Sequence, residues 1–118
     1  MLGFTLVEVK ISGKKGSETI NLLVDTGSLL TWVPKKILEK IGVTPISKKK
    51  FKTIEGRFVE RDVGEAVIEL MGEKATRLIV FGEENDAQVL GTEVLEGLGF
   101  EVDPTTKHLK KVEAFIAY

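Results

Sequence analysis

The sequence predicts a mainly-β domain with two short helices, its strands closed or sandwiched into one sheet system. Three observations predict this class. Runs of β-branched and apolar residues recur about every ten residues. Clusters of Gly, Ser, Asp, Asn and Pro separate them. Only two segments carry both a start and a stop signal for a helix.

Taken in order, Phe4 to Ile11 reads as the first strand, and Ser12-Gly13-Lys14-Lys15-Gly16-Ser17 as a turn. Ile20 to Val24 is the second strand. Its end, Leu22-Leu23-Val24, is continuously apolar, which suggests burial on both faces. Asp25-Thr26-Gly27-Ser28 breaks it, and Leu29 to Val33 is apolar again. Pro34 opens a short helix, PKKILEKIG, with proline near the first turn and Gly42 as the stop. Lys48-Lys49-Lys50 is too short to define a binding surface and reads as a solvated loop. Phe51 to Leu70 forms a long hairpin with its tip at Ile54-Glu55-Gly56. The return arm runs through Phe58 to Val63 and Ala66 to Leu70, with Gly64 marking a bulge or bend.

Met71-Gly72-Glu73-Lys74 is a turn, Ala75 to Phe81 a strand, Gly82 to Asp86 a polar loop, and Ala87 to Leu90 a short strand. Gly91 leads into the second helix, Thr92 to Leu98. Thr92 is expected as N-cap, Glu93 lies in the first turn and Gly99 at the C-cap. Phe100 to Val102 and Leu109 to Ala117 are strands flanking an Asp103-Pro104-Thr105-Thr106 turn. With no linker, low-complexity stretch or repeat period, residues 1–118 read as a single domain.

Composition excludes several functions. Seventeen basic against 18 acidic residues leave a net charge of -1, which argues against a nucleic-acid partner. There are no cysteines and one histidine, His108. That removes disulfides, a thiol nucleophile and a Cys/His zinc site. His108, flanked by Lys107 and Lys110, reads as a surface residue. Any acid-base chemistry therefore falls to carboxylates. MLGFTLVEVK has no basic n-region, and no apolar run reaches about 18 residues, so no membrane partner and a cytoplasmic location are the default expectations. Fourteen Glu and 14 Lys against 2 Asn and 1 Gln match the composition of hyperthermophile proteins.

The informative segment is Asp25-Thr26-Gly27-Ser28, an ionisable residue at the end of a strongly apolar strand. These residue types also make ordinary β-turns. An Asp-Thr-Gly triplet is expected by chance in roughly 2 in 100 chains of this length, so its surroundings must decide. Leu22-Leu23-Val24-Asp25-Thr26-Gly27-Ser28, followed by Trp32-Val33-Pro34, resembles the active-site segment of aspartic proteases. Val89-Leu90-Gly91 before a helix resembles that family's second element, two apolar residues and a glycine threaded beside the catalytic loop. Lys50 to Gly72 can be laid on a retroviral protease flap without gaps, with Ile54 at the tip and Ile68-Glu69 in the return strand. The resemblance covers about Phe4 to Asp103. It implies a retropepsin-type domain: a closed acid-protease-like barrel, one lobe per chain.

The chemistry of that family needs two carboxylates sharing one proton. The chain has one Asp-Thr-Gly. Asp62, Asp86 and Asp103 lack the preceding apolar strand and the following Thr-Gly; Asp103 reads as a turn former. A chain of 118 residues is long enough for one lobe and too short for two. The second carboxylate is then expected from a second copy, in a C₂ dimer that sets Asp25 against its symmetry mate.

The resemblance also implies roles. Asp25 is the catalytic base and acid. Thr26 directs its hydroxyl to the partner loop, Gly27 admits substrate closely and accepts a substrate amide, and Ser28 hydrogen-bonds the outer Asp25 oxygen. Ile54, Glu55 and Gly56 form the flap tip and donate backbone N–H groups. Leu23, Ala87 and Val89 wall the side-chain pockets, while Leu90 and Gly91 are structural. No metal or organic cofactor is implied. Glu83-Glu84 with Asp86 lacks calcium-loop spacing and reads as a solvated loop, and Trp32 as packing.

Departures from the family pattern are definite. A polar residue usually follows the active-site loop and pairs with an Arg after the second glycine. Here those positions hold Leu29 and Thr92, so apolar packing is expected in place of an ion pair. The flap tip has one glycine, Gly56, where retroviral flaps have several. The tail after Pro104 offers Leu109, Val112, Phe115 and Ile116 as strand residues for a partner chain. The expected activity is a homodimeric aspartic endopeptidase acting on an extended polypeptide. The alternative is a non-catalytic, dimeric peptide-binding or assembly module on the same fold.

Overall fold

The computed structural model describes residues 5–117; Phe4, the expected start of the first strand, and Tyr118 lie outside the described residues. The chain opens with a hairpin of β1 (Leu6–Gly13) and β2 (Gly16–Val24), in register from Leu6↔Leu23 to Gly13↔Gly16. Pairing continues almost to the reversal, so only Lys14 and Lys15 form the tip, and the expected six-residue turn is mostly strand. Next come β3 (Thr31–Pro34) and α1 (Lys35–Lys40), with Pro34 at the N-cap and Gly42 in the left-handed region at φ 84° just beyond.

The flap hairpin pairs β4 (Pro45–Lys52) with β5 (Phe58–Leu70). Lys48, Lys49 and Lys50 are exposed, as expected, but they lie within β4 rather than in a loop. An exposed run from Pro45 to Lys50 carries no apolar alternation to betray a strand. β5 runs unbroken through Gly64. The irregularity lies opposite, where Pro45↔Gly64 and Ser47↔Val63 leave Ile46 as the extra residue. Gly64 has no room for a side chain, because a Cβ would meet the Thr44 carbonyl and the Phe81 ring.

A two-residue turn, Met71-Gly72, with φ of 50° and 85°, joins β5 to β6 (Glu73–Gly82). A loop of residues 83–88 leads to β7 (Val89–Leu90), then α2 (Thr92–Leu98) and a separate hairpin of β8 (Phe100–Val102) and β9 (Leu109–Lys111). The last strand is shorter than the expected 109–117, since β8 offers only three residues to pair with.

Seven strands follow the order β1-β2-β7-β3-β6-β5-β4. Lys10↔Glu69, Ile11↔Ile68 and Ser12↔Val67 pair β1 with β5 and close the sheet into a ring, leaving β4 and the flap arm projecting from it. Closure is the route by which a sheet removes exposed edges. Inside the ring, Val9, Ile11, Leu22, Val24, Val33, Ile68, Ile79, Phe81 and Leu90 pack with Leu38 of α1 and with Val94, Leu95 and Leu98 of α2. The opposite face of the same strands carries a smaller cluster, Leu30, Val63 and Val80, bordered by Trp32, Phe51 and Leu78. Trp32 meets Phe51 edge-on at 4.9 Å between ring centres, so it packs the base of the flap as expected. Among the described residues, no helix is long and apolar enough to cross a membrane.

Candidate active site

Asp25 follows the last residue of β2 and is half-buried. Its backbone N–H donates to the Leu90 carbonyl at 3.0 Å, and its carbonyl accepts from Ser28 N–H at 3.1 Å. The Oδ1 atom accepts from Gly27 N–H at 2.9 Å. The carboxylate is thus turned back over its own loop, while Thr26 and Gly27 form an exposed tip. The Ser28 hydroxyl does not bond Asp25 as expected. It donates to the Leu30 carbonyl at 2.8 Å, because that carbonyl lies two residues on in the same tight turn.

β7 threads between β2 and β3. Leu23↔Val89 and Val24↔Leu90 pair in parallel, and Trp32↔Val89 pair antiparallel. Gly91 then passes where a Cβ would run into the Leu29 and Leu30 carbonyls, so only glycine fits the crossing. Its N–H donates to Thr31 Oγ1 at 3.0 Å. Thr92 N–H and Glu93 N–H donate to the Ser28 and Leu29 carbonyls, each at 2.9 Å. These bonds cap α2, and the N-cap position is Gly91, extended at ψ 174°, rather than Thr92. The loop that carries Asp25 is therefore held from below by backbone donors of the second element.

Leu29 is 68% exposed, so the expected apolar packing in place of an ion pair is not made within one chain. The link between the Leu29 and Thr92 segments is the backbone pair just described, together with a long 3.5 Å contact from Thr92 Oγ1 to the Ser28 carbonyl. Leu23 is half-buried, Val89 buried and Ala87 exposed. Leu23 and Val89 are register partners beside Asp25, whereas Ala87 lies in the 83–88 loop just before β7. Leu90 belongs to the interior core.

At the flap tip, Gly56 N–H donates to the Thr53 carbonyl at 2.9 Å and Thr53 N–H to the Arg57 carbonyl at 2.8 Å. Gly56 sits at φ 88°, which explains a tip with a single glycine: the turn needs one left-handed residue. Ile54 is fully exposed. A backbone hydrogen bond at Glu55 itself, a bond from Thr53 and the nearby Arg57 charge hold the Glu55 carboxyl below its ordinary range. Gly56 N–H is thus committed within the turn.

The other three aspartates are engaged elsewhere. Asp62 pairs with Lys48 at 3.2 Å. Asp103 accepts from Thr106 and Thr105 N–H, which depress its pKa and make it the turn former expected. Glu83 pairs with Lys35 at 3.5 Å and Asp86 with Arg61 at 2.7 Å, so the 83–86 acids do not converge on an ion. Exposed His108 hydrogen-bonds through its backbone within the terminal turn. Sequence reading missed Thr31, which looks like any strand-forming threonine, and Arg61, whose partner is distant in the chain.

The family model described as aspartyl protease matches residues 7–94, a span that includes the Asp25 loop, the flap and the Gly91 crossing. No curated protein sequence matches significantly. Among solved structures, the chain is similar to the solution structure of simian foamy virus (mac) protease. The TM-score is 0.55 at 25% identity, over 76% of this chain and 91% of that one. It is also similar to foamy viral protease-reverse transcriptase bound to double-stranded DNA, with a TM-score of 0.52 and 20% identity over 76% of this chain and 15% of that one. The same holds for a foamy viral protease-reverse transcriptase bound to an RNA/DNA hybrid, with a TM-score of 0.54 and 17% identity over 94% and 13%. The last two bear on the fold alone.

Proposed function

The chain belongs to the aspartyl protease family, and from that premise we propose that it is a homodimeric endopeptidase built from two half-sites. One observation carries the reading. Each chain presents a single Asp-Thr-Gly loop with an exposed tip, braced from beneath, while Asp62, Asp86 and Asp103 are tied into their own ion pairs or turns. A two-fold partner would bring a second Asp25 to the first.

Two carboxylates about 3 Å apart cannot both ionise, so one keeps its proton. The ionised Asp25 takes a proton from a water, which attacks the scissile carbonyl. The protonated Asp25 polarises that carbonyl and then protonates the leaving amine. Gly27 lets the peptide backbone approach the loop, and the flaps close over an extended substrate added as a strand. Leu23 and Val89 wall the side-chain pockets on either side of the scissile bond.

Asp25→Asn removes the ionisable group and keeps its shape. Peptide cleavage should fall by more than about a thousand-fold, with fold and association unchanged. Full retained activity would refute the mechanism. The second reading, a non-catalytic peptide-binding module, draws on the Ser28 hydroxyl being turned to Leu30 rather than to Asp25. It predicts peptide binding without cleavage by the unmodified chain.

A further inference from the structure

Val63↔Val80 is the first register pair between β5 and β6 from the flap side. Residues 58–62 of β5 pair only with β4, so this arm is free on its inner side. Phe51↔Val59, Lys49↔Arg61 and Ser47↔Val63 put Arg61 on the face shared by Phe51, Val59 and Val63, at the last inward position before the arm joins the ring. From there it reaches the 83–88 loop. Arg61 Nε meets Asp86 Oδ2 at 2.7 Å and Nη2 meets Oδ1 at 3.1 Å, while Nη1 donates to the Glu60 carbonyl at 2.8 Å. Both side chains are largely covered, at 17% and 20% exposure. A two-pronged Arg-carboxylate pair fixes direction as well as distance.

Asp86 organises its own loop at the same time. Its Oδ2 accepts from Glu83 N–H at 2.7 Å, and its N–H donates to the Glu83 carbonyl at 3.0 Å. Among the described residues, the loop's other side-chain tie to the rest of the chain is the exposed Lys35–Glu83 contact, a kind that contributes little, while its last residue is held through the backbone by Leu23 N–H donating to the Gln88 carbonyl at 3.3 Å. Ala87 follows at once, and two residues later Val89 pairs with Leu23 beside Asp25. The flap arm and the wall of the cleft are thereby joined through one side-chain pair.

We infer that Arg61 and Asp86 form a clasp that positions the 83–88 wall against the flap arm and so sets how tightly the enzyme holds the outer residues of a peptide. The inference rests on the proteolytic reading above. Neither group touches the reacting atoms; both act through Ala87 and the flap. Losing the clasp frees the wall, so the loss falls on binding of the peptide's distal side chains and leaves the chemical step at Asp25 unchanged.

The test uses the full chain, a synthetic peptide that the wild type cleaves, and the same peptide shortened one residue at a time from each end. Arg61→Met is expected to raise KM for the long peptide by about five-fold or more, with kcat within about two-fold, and to leave the shortest cleaved peptide unaffected. Asp86→Asn keeps an acceptor for Glu83 N–H and is expected to do the same, with the double variant no worse than either single one. If Arg61→Met does not fold, Asp86→Asn decides alone. An unchanged KM, or equal losses on long and short peptides, overturns the clasp and leaves the proteolytic reading standing. A wild-type chain that cleaves no peptide overturns that reading and this inference with it.

Discussion

Thr31 Oγ1 accepts the Gly91 N–H at 3.0 Å, across 60 positions of chain. Among the described residues Thr31 is the one buried polar residue, and Gly91 is buried too. The bond locks the start of β3 to the end of β7 at the point where the Leu90 carbonyl takes the Asp25 N–H. Thr31→Val keeps the shape and strands a buried donor. It should cost about 1–3 kcal/mol in denaturant unfolding at fixed protein concentration, with a matching fall in activity. Stability equal to the wild type would show that the hydroxyl is not what holds the crossing.

The two glycines of the site should respond differently to alanine. At Gly91 the new methyl group meets two backbone carbonyls that cannot move aside, so Gly91→Ala should lower stability by at least about 2 kcal/mol and abolish activity. At Gly27 it would meet only Asp25 Oδ1, at 3.2 Å. Gly27→Ala should therefore fold with near wild-type thermal stability yet cleave poorly, because the carboxylate must shift. Equal thermal stability in the two variants would contradict this division.

Gly56→Ala places a side chain in open space but at φ 88°. The strain should be about 1–2 kcal/mol and confined to the flap tip. Amide exchange should quicken at residues 53–57, with the global melting temperature nearly unchanged and KM raised. A large drop in melting temperature would mean that the tip supports the ring, which its exposure does not suggest.

Much of this architecture is legible in the residues themselves. Alternation along 6–13 marks a strand with one face inward, and the apolar run Leu78-Ile79-Val80-Phe81 marks one that packs on both faces; in Leu22-Leu23-Val24 the outer two residues are buried and Leu23 is half-buried. Asp25 and Gly91 were readable because each stands in a distinctive local pattern. Other features depend on distant partners. β4 shows no apolar period, since it is exposed from Pro45 to Lys50 and only Phe51 reaches the packed base of the flap. The hydroxyl of Thr31 acquires its role only when Gly91 arrives from 60 residues on. The Ser28 hydroxyl bonds the Leu30 carbonyl, a choice set by the turn's backbone geometry and not by residue type. Arg61 and Asp86 meet across 25 positions, which no local pattern records.

The same pair makes a pH prediction. Hydrogen bonds from Arg61, then from Glu83 N–H, hold the Asp86 carboxyl below its ordinary value of 3.8, against the opposing effect of burial. A depressed folded-state value stabilises the fold above the unfolded value and is lost as pH falls through the lower one. The melting-temperature gap between wild type and Asp86→Asn should therefore stay constant from neutral pH down to the ordinary carboxyl range, and close only below 3.8. A gap that already closes near neutral pH would contradict the pair's geometry.

The central claim is that each chain carries half of one active site. Wild-type chain is mixed with rising amounts of Asp25→Asn chain under conditions of free exchange, and peptide cleavage is measured at constant wild-type-plus-variant concentration. If two Asp25 carboxylates are required, only wild-type pairs cut, and an equal mixture retains about a quarter of the activity. An equal mixture that retains half would show that one chain suffices, and would contradict the account.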